Sequence, residues 1–147
     1  MNHLNDPENP LYINALKRTE NIEETIKKSR INCLVNPIKI IGEVEEILQH
    51  LKGGPAKNLI NSFFKYTTDK CDNCKIEKSK TIQLDRAHCN KENCDRSSLL
   101  KQSILIYFKD NETPISIRDI LKTFIKLHSK IPLFILCKKC HNTYDRK

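Results

Sequence analysis

The chain has 147 residues and a formal net charge of +8, with 38% hydrophobic and 30% charged residues. This length and balance predict one globular domain with a modest core, or a small unit with an N-terminal extension. No apolar run approaches the roughly 20 residues that span a bilayer, and the N-terminus has no apolar signal-peptide segment. We therefore expect an intracellular protein, of the cytoplasm or the nucleus, with no membrane partner.

The positive charge favours a polyanionic partner, because each phosphate that a protein neutralises releases counterions and strengthens binding at low salt. Lysine-rich solvated surfaces are common, so the charge alone leaves the partner open. The motifs along the chain are needed to choose one.

Residues 1–66 are predicted to form a helical region. Apolar residues recur at helical spacing over 11–31, and a second helix is predicted over 37–51, with Ile40 and Ile41 on its apolar face. A Gly-Gly-Pro sequence then ends this helix and begins a short third one. We expect this region to make contacts, with DNA binding and dimerisation as the candidate roles.

Residues 67–147 combine strands with helices. An alternating pattern predicts a strand over 81–88, and an apolar run predicts a second strand over 131–136. Two helices are expected between them, over 97–108 and after the capping residue Ser116. A short helix follows the second strand, so the expected arrangement is ββα.

Two Cys-x-x-Cys pairs flank this region, and each offers two sulfurs at bonding distance from one metal ion. Seven cysteines, an odd number, favour thiolate–metal chemistry in a reducing compartment over disulfides. The sequence therefore predicts a structural zinc ion held by Cys71, Cys74, Cys137 and Cys140.

The remaining cysteines and three of the histidines carry no comparable pattern. Cys33, Cys89 and Cys94 are expected to be free or buried thiols, with a second metal site as the alternative. We expect His3, His50 and His128 to lie on the surface or on helix faces, without a catalytic role.

The residues between and beside the cysteine pairs show a further pattern. They are Leu84-Asp85-Arg86-Ala87-His88 and the run over 136–145. With the cysteines they resemble the HNH nucleases of the ββα-metal superfamily, in particular the subgroup in which two Cys-x-x-Cys pairs bind a structural zinc. Asp85-Arg86-Ala87-His88 is also similar to the Asp-Arg-Gly-His element of non-specific nucleases of that superfamily. The resemblance covers about residues 70–147.

The resemblance implies an α+β fold, in which a helical N-terminal region precedes a zinc-stabilised ββα-metal core with a helical insertion between its two strands. It also implies that His88 activates water and that His141 and Asp145 hold a divalent cation. The chain departs from the family at Ala87, where many members have a metal-binding acid, and at Pro132, where they have the central asparagine.

The same roles follow from the chemistry of phosphodiester hydrolysis, which needs a water, a base and a cation. His88 is the candidate base, because an imidazole is neutral near pH 7 and a strand end is a rigid mount. His141 and Asp145 are four residues apart and lie on one helix face, where they can share Mg²⁺ or Mn²⁺. Arg86 shares a strand face with His88 and would bind a phosphate oxygen.

Asp85 has two interpretations. It is either a third ligand of the divalent cation or a partner in a salt bridge behind the strand. Strand alternation places its side chain on the face opposite His88.

The sequence thus predicts a metal-dependent HNH endonuclease acting on DNA, of restriction, homing or viral and phage type. One active site per chain cuts one strand, so cleavage of both strands of a duplex would require a homodimer. The alternative is a zinc-ribbon protein that binds nucleic acid without catalysis, such as a transcription or packaging factor.

Overall fold

The computed structural model describes residues 2–20, 38–64, 68–88 and 93–145. Helices and two small antiparallel sheets make up an α+β fold, as predicted. Within the described residues no helix is long and apolar enough to cross a membrane. In chain order the elements are α1 (Pro10–Lys17), β1 (Lys39–Ile40), α2 (Val44–Lys52), α3 (Gly54–Phe63), β2 (Leu84–His88), α4 (Arg96–Tyr107), β3 (Ile115–Ser116), α5 (Ile117–Lys126), β4 (Leu133–Cys137) and α6 (Lys138–Asp145).

The antiparallel pair β2 and β4 carries most of the residues singled out in the sequence. Its register runs from Leu84 opposite Cys137 to His88 opposite Leu133. All five residues of β4 are buried, as expected for a short apolar strand covered on both faces. Helices α4 and α5 lie in the connection between the two strands, so the predicted helical insertion is confirmed.

Helix α6 follows β4 without a loop and packs on the β2–β4 pair. Its buried residues are Cys140 and Tyr144. The ring of Tyr144 lies 5.4 Å from that of Phe134 on β4, and its hydroxyl donates a hydrogen bond of 2.7 Å to Asn5. A helix of only two turns is marginal alone, so these contacts hold it in place.

The core has two parts. The first joins α2 and α3 to the insertion helices α4 and α5, through residues such as Leu51, Ile104 and Phe124. The second surrounds the β2–β4 pair and includes Leu4 and Ala15 from the N-terminal segment. Both parts therefore draw residues from either side of residue 66, and the predicted boundary itself lies outside the described residues.

The predicted helix over 37–51 is wrong in its first turns. Lys39–Ile40 instead forms a strand that pairs with Ile115 and Ser116. Gly42 has a φ of +146°, which a helix cannot contain, and α2 begins only at Val44. Ile40 and Ile41, which contributed to the helix prediction, are β-branched and suit a strand equally well.

Within the described residues, the helix predicted over 11–31 ends earlier than expected. Helix α1 begins at Pro10 and ends at Lys17, and a turn follows. Thr19 lies in this turn, where its hydroxyl donates to the carbonyls of Leu16 and Ile131 at 3.0 and 2.9 Å. The prediction for residues 21–31, like Cys33 and Cys89, lies outside the described residues.

Candidate metal centre and histidine pair

The four paired cysteines converge on one point. Their sulfur atoms all lie within 4.8 Å of one another. The Sγ atoms of Cys74 and Cys137 are 3.7 Å apart. Two thiolates on one tetrahedral zinc ion, each about 2.3 Å from the metal, would be separated by about 3.8 Å. The cluster is therefore able to bind a structural zinc ion.

The first cysteine pair is shaped by a tight turn. The amide of Cys71 donates to the carbonyl of Ile76, and the amide of Lys75 donates back to the carbonyl of Cys71, both at 3.0 Å. Lys75 has a φ of +64°, an uncommon conformation for a residue with a side chain. This reversal places Cys71 and Cys74 side by side.

The second pair joins β4 to α6. Cys137 ends the strand, and the amide of Cys140, in the first turn of the helix, donates to the Cys137 sulfur at 3.5 Å. The side-chain amide of Asn73 donates to the sulfur of Cys140, also at 3.5 Å. Such N–H donors partly offset the cost of burying negatively charged sulfur.

The thiols differ in acidity. Burial raises the pKa of Cys140 to about 12. Burial also acts to raise the pKa of Cys71, but backbone N–H groups of Cys137, Cys74 and Asn73 outweigh it and lower the value to about 7. A metal binds thiolates, so loading the cluster releases protons.

Asp72 anchors the first cysteine pair to the rest of the molecule. Its carboxylate accepts two hydrogen bonds from Arg18, at 2.6 and 2.9 Å, and a third from the amide of Ile135 at 2.7 Å. Arg18 also donates to the carbonyl of Leu133. The residue between the cysteines thus ties the turn to β4 and to the segment after α1, a role that turn propensity did not predict.

On one side of the β2–β4 pair, His141 of α6 lies between two carboxylates, those of Asp85 and Asp145. The carboxylate of Asp85 lies 3.1 Å from Nδ1 of His141, and the carboxylate of Asp145 lies 3.3 Å from Nε2 of the same ring. A neutral imidazole carries one N–H and donates to only one of the two carboxylates. A cation beside the other nitrogen would satisfy the second.

The two carboxylates nevertheless face different ring nitrogens. Asp85 and Asp145 therefore do not meet at one point, and the cysteine cluster is the only set of three or more candidate ligands that converges within the described part of the chain. As placed, one cation reaches His141 and one carboxylate. A three-ligand site requires a turn of the ring or of a carboxylate.

His88 and Arg86 face the other side of the strand, as alternation predicts. Nε2 of His88 lies 3.0 Å from Nε2 of His128, in the turn that follows α5. Arg86 donates from Nε to the carbonyl of Phe64 and from Nη1 to the side chain of Asn61. Both of these contacts are with the end of α3, and the predicted contact of Arg86 with phosphate stays a prediction.

Burial dominates the electrostatics of His88. It lowers the pKa of His88 to about 3, with smaller contributions from the charges of His128, Arg96 and His141, while Asp95 acts in the opposite direction. The imidazole is neutral above that pH.

No protein-family model, curated protein or solved structure matches this chain. The resemblance to HNH nucleases therefore stays a prediction from the sequence motifs. The four-cysteine cluster is established as a site that can bind a metal ion.

The sequence predicted that His128 lies on the surface or on a helix face, and the surface alternative is wrong for this residue. It is fully buried, not on the surface, with its ring 4.9 Å from that of Phe124 and 5.1 Å from those of Phe64 and His88. One signal was present: Phe124 and His128 are four residues apart and lie in line with the apolar face of α5. Nothing in the sequence indicated the contact with His88.

Proposed function

We propose that this protein is a metal-dependent HNH endonuclease that hydrolyses phosphodiester bonds of double-stranded DNA. The observation that carries the proposal is the contact between Asp85 on β2 and His141 on α6. It joins the Asp-Arg-Ala-His motif to the helix that begins in the second cysteine pair. A strand pair followed by a helix, with four cysteines at the junction, is the arrangement expected of a ββα-metal core.

In this proposal Asp85, His141 and Asp145 hold a Mg²⁺ or Mn²⁺ ion once the His141 ring or one carboxylate turns from the position described above. The exposed fractions of their side chains, 44%, 27% and 58%, allow an ion and a phosphate to approach. Bound there, a hard divalent cation would stabilise negative charge on the phosphate and the leaving oxygen. The cysteine cluster holds zinc and keeps α6 against β2.

His88 is the proposed base. Its imidazole is neutral at physiological pH and so has one unprotonated nitrogen, although the burial that keeps it neutral also makes that nitrogen a weak base. Arg86 is proposed to contact phosphate, with its guanidinium steadied by α3. Exposed lysines beside the cysteine turns supply positive charge toward a DNA backbone; they include Lys78, Lys80, Lys138 and Lys139. A homodimer would cut both strands.

The test is cleavage of supercoiled plasmid by the zinc-loaded protein with Mg²⁺, Mn²⁺ or EDTA. We expect nicked or linear DNA with either metal and none with EDTA. His88→Ala should abolish cleavage, and His50→Ala, which changes an exposed histidine of α2, should not. Cleavage by His88→Ala at the wild-type rate would refute the proposed role of His88.

One observation favours the alternative, a zinc-ribbon protein that binds nucleic acid without cutting it. His88 packs against the buried His128, as a purely structural histidine would. This alternative predicts salt-sensitive DNA binding with no cleavage in any metal. It also predicts that correctly folded His88 variants bind DNA as the wild type does.

A further inference from the structure

A chain of three polar groups links α5 to His88. Nδ1 of His128 lies 2.8 Å from the backbone carbonyl of Phe124, and Nε2 of His128 lies 3.0 Å from Nε2 of His88. A carbonyl oxygen only accepts hydrogen bonds, so Nδ1 of His128 carries a proton. His128 is fully buried among aromatic rings, and burial lowers its pKa to about 4.

The proton positions follow from these contacts. A neutral His128 with its proton on Nδ1 has a lone pair on Nε2 and accepts there. His88 must then donate from its own Nε2, and a neutral His88 with its proton on Nε2 has an unprotonated Nδ1. The second ring thus fixes which nitrogen of the first is basic.

We infer that His128 is a positioning residue for His88: its Nε2 accepts a hydrogen bond from the Nε2–H group of His88, holds the ring in one orientation, and leaves Nδ1 of His88 as the nitrogen that takes a proton from water. The role of His88 Nδ1 as a base rests on the proposed nuclease function. The proton positions themselves do not, because they follow from the contacts of the two rings.

A metal ion shared by the two histidines does not fit as well. Two imidazole nitrogens on one tetrahedral zinc ion, each about 2.0–2.1 Å from the metal, would lie about 3.3–3.4 Å apart. The observed separation is 3.0 Å, and neither histidine belongs to a convergent set of three ligands in the described ranges.

The first test is ¹⁵N NMR of the histidine side chains in the full zinc-loaded chain, where nitrogen shifts and long-range couplings distinguish the two neutral forms. We expect the proton of His88 on Nε2 and that of His128 on Nδ1 at pH 7. A proton on Nδ1 of His88 would overturn the inference. Binding of a second zinc ion per chain, lost in His128→Gln, would overturn it in favour of a metal site.

The second test uses two variants at position 128. His128→Gln offers an acceptor oxygen near the place of Nε2. His128→Asn retains a donor to the Phe124 carbonyl but has no acceptor that reaches His88. We expect His128→Asn to lower kcat roughly 10- to 100-fold with KM unchanged, and His128→Gln to remain close to wild type. The His88 signal should change form in His128→Asn alone.

These outcomes separate this inference from the proposed function. A protein that cuts no DNA but has the expected proton positions would refute the nuclease and retain the pairing. Cleavage by a folded His128→Asn at the wild-type rate would refute the positioning role and retain the nuclease. If His128→Asn does not fold, the NMR measurement on the wild type still decides the proton positions.

Discussion

Arg18 and Asp72 form a two-pronged ion pair in which only 13% and 11% of the side-chain surfaces are exposed. The pair joins the segment after α1 to the turn that carries Cys71 and Cys74. Asp72 accepts a hydrogen bond from Ile135 as well, so the same carboxylate contacts both the N-terminal segment and β4.

We predict that Arg18→Ala destabilises the protein by about 3–5 kcal/mol, because it leaves the Asp72 carboxylate buried without its charged partner. Chemical denaturation of the zinc-loaded protein measures the change. The control is Glu77→Gln, which removes an exposed ion pair with Lys70 and should cost less than about 1 kcal/mol. Equal losses in the two variants would show that the buried pair has no special role.

Zinc removal should unfold the β2–β4 pair and α6, since the cysteine cluster fastens the turn at Cys71 to the junction of β4 and α6. We expect a chelator to lower the melting temperature and to remove helical signal in circular dichroism, and Cys137→Ser to do the same. Cys94→Ser is the matched control, because Cys94 lies outside the cluster. A cooperative melt unchanged by chelation would contradict the zinc assignment.

The pair formed by His88 and the fully buried His128 should make the protein sensitive to acid. Burial lowers the pKa values of His88 and His128 to about 3 and 4, from an ordinary value near 6.5. The unfolded chain therefore takes up protons near pH 6.5 that the folded protein does not yet bind. The stability is complete above pH 6.5 and is lost as the pH falls toward 4, by roughly 2 kcal/mol per histidine at pH 5.

Denaturation of wild type and His128→Gln at several pH values checks this. Zinc loss at low pH affects both proteins, so the difference between their slopes isolates the histidine pair. We expect the shallower slope in His128→Gln. Parallel slopes would show that the buried pair does not carry the acid sensitivity.

Replacing the acidic partners of His141 should weaken the dependence of cleavage on divalent cation. We expect Asp85→Asn to raise the Mg²⁺ concentration for half-maximal cleavage by at least about tenfold, and Asp145→Asn by less. Asp85 is mounted on a strand, whereas Asp145 ends a two-turn helix and is more exposed. Asp119→Asn, at an exposed carboxylate of α5, is the control. The reverse ranking would place the ion between His141 and Asp145.

The proximity of His141 to Asp145 could be predicted because local spacing fixes it. The meeting of the two cysteine pairs could be predicted because four thiolates suit one zinc ion, and the strand pair because the family resemblance implies it. Strand alternation predicted the side of β2 on which Asp85 lies. It did not predict that His141 contacts Asp85 there. The strand at Lys39–Ile40 and the burial of His128 depend on contacts distant in sequence. Periodicity carries no information about such contacts.

The connection between β2 and β4 contains His128, the hydrogen-bond partner of the candidate base His88. Cys74 and Cys137, 63 positions apart, meet at the metal cluster, so that cluster closes the loop containing α4 and α5. Closure entropy rises only slowly with length, so residues can be added at an exposed turn of this connection at small cost. Exchanging α4 and α5 themselves would replace one part of the core. Because His128 lies inside the connection, any exchange of the whole loop also replaces the acceptor beside His88. A chimaera with a different connection would therefore change the hydrogen bonding of His88, even if it kept the residues of the two sequence motifs and the four cysteines.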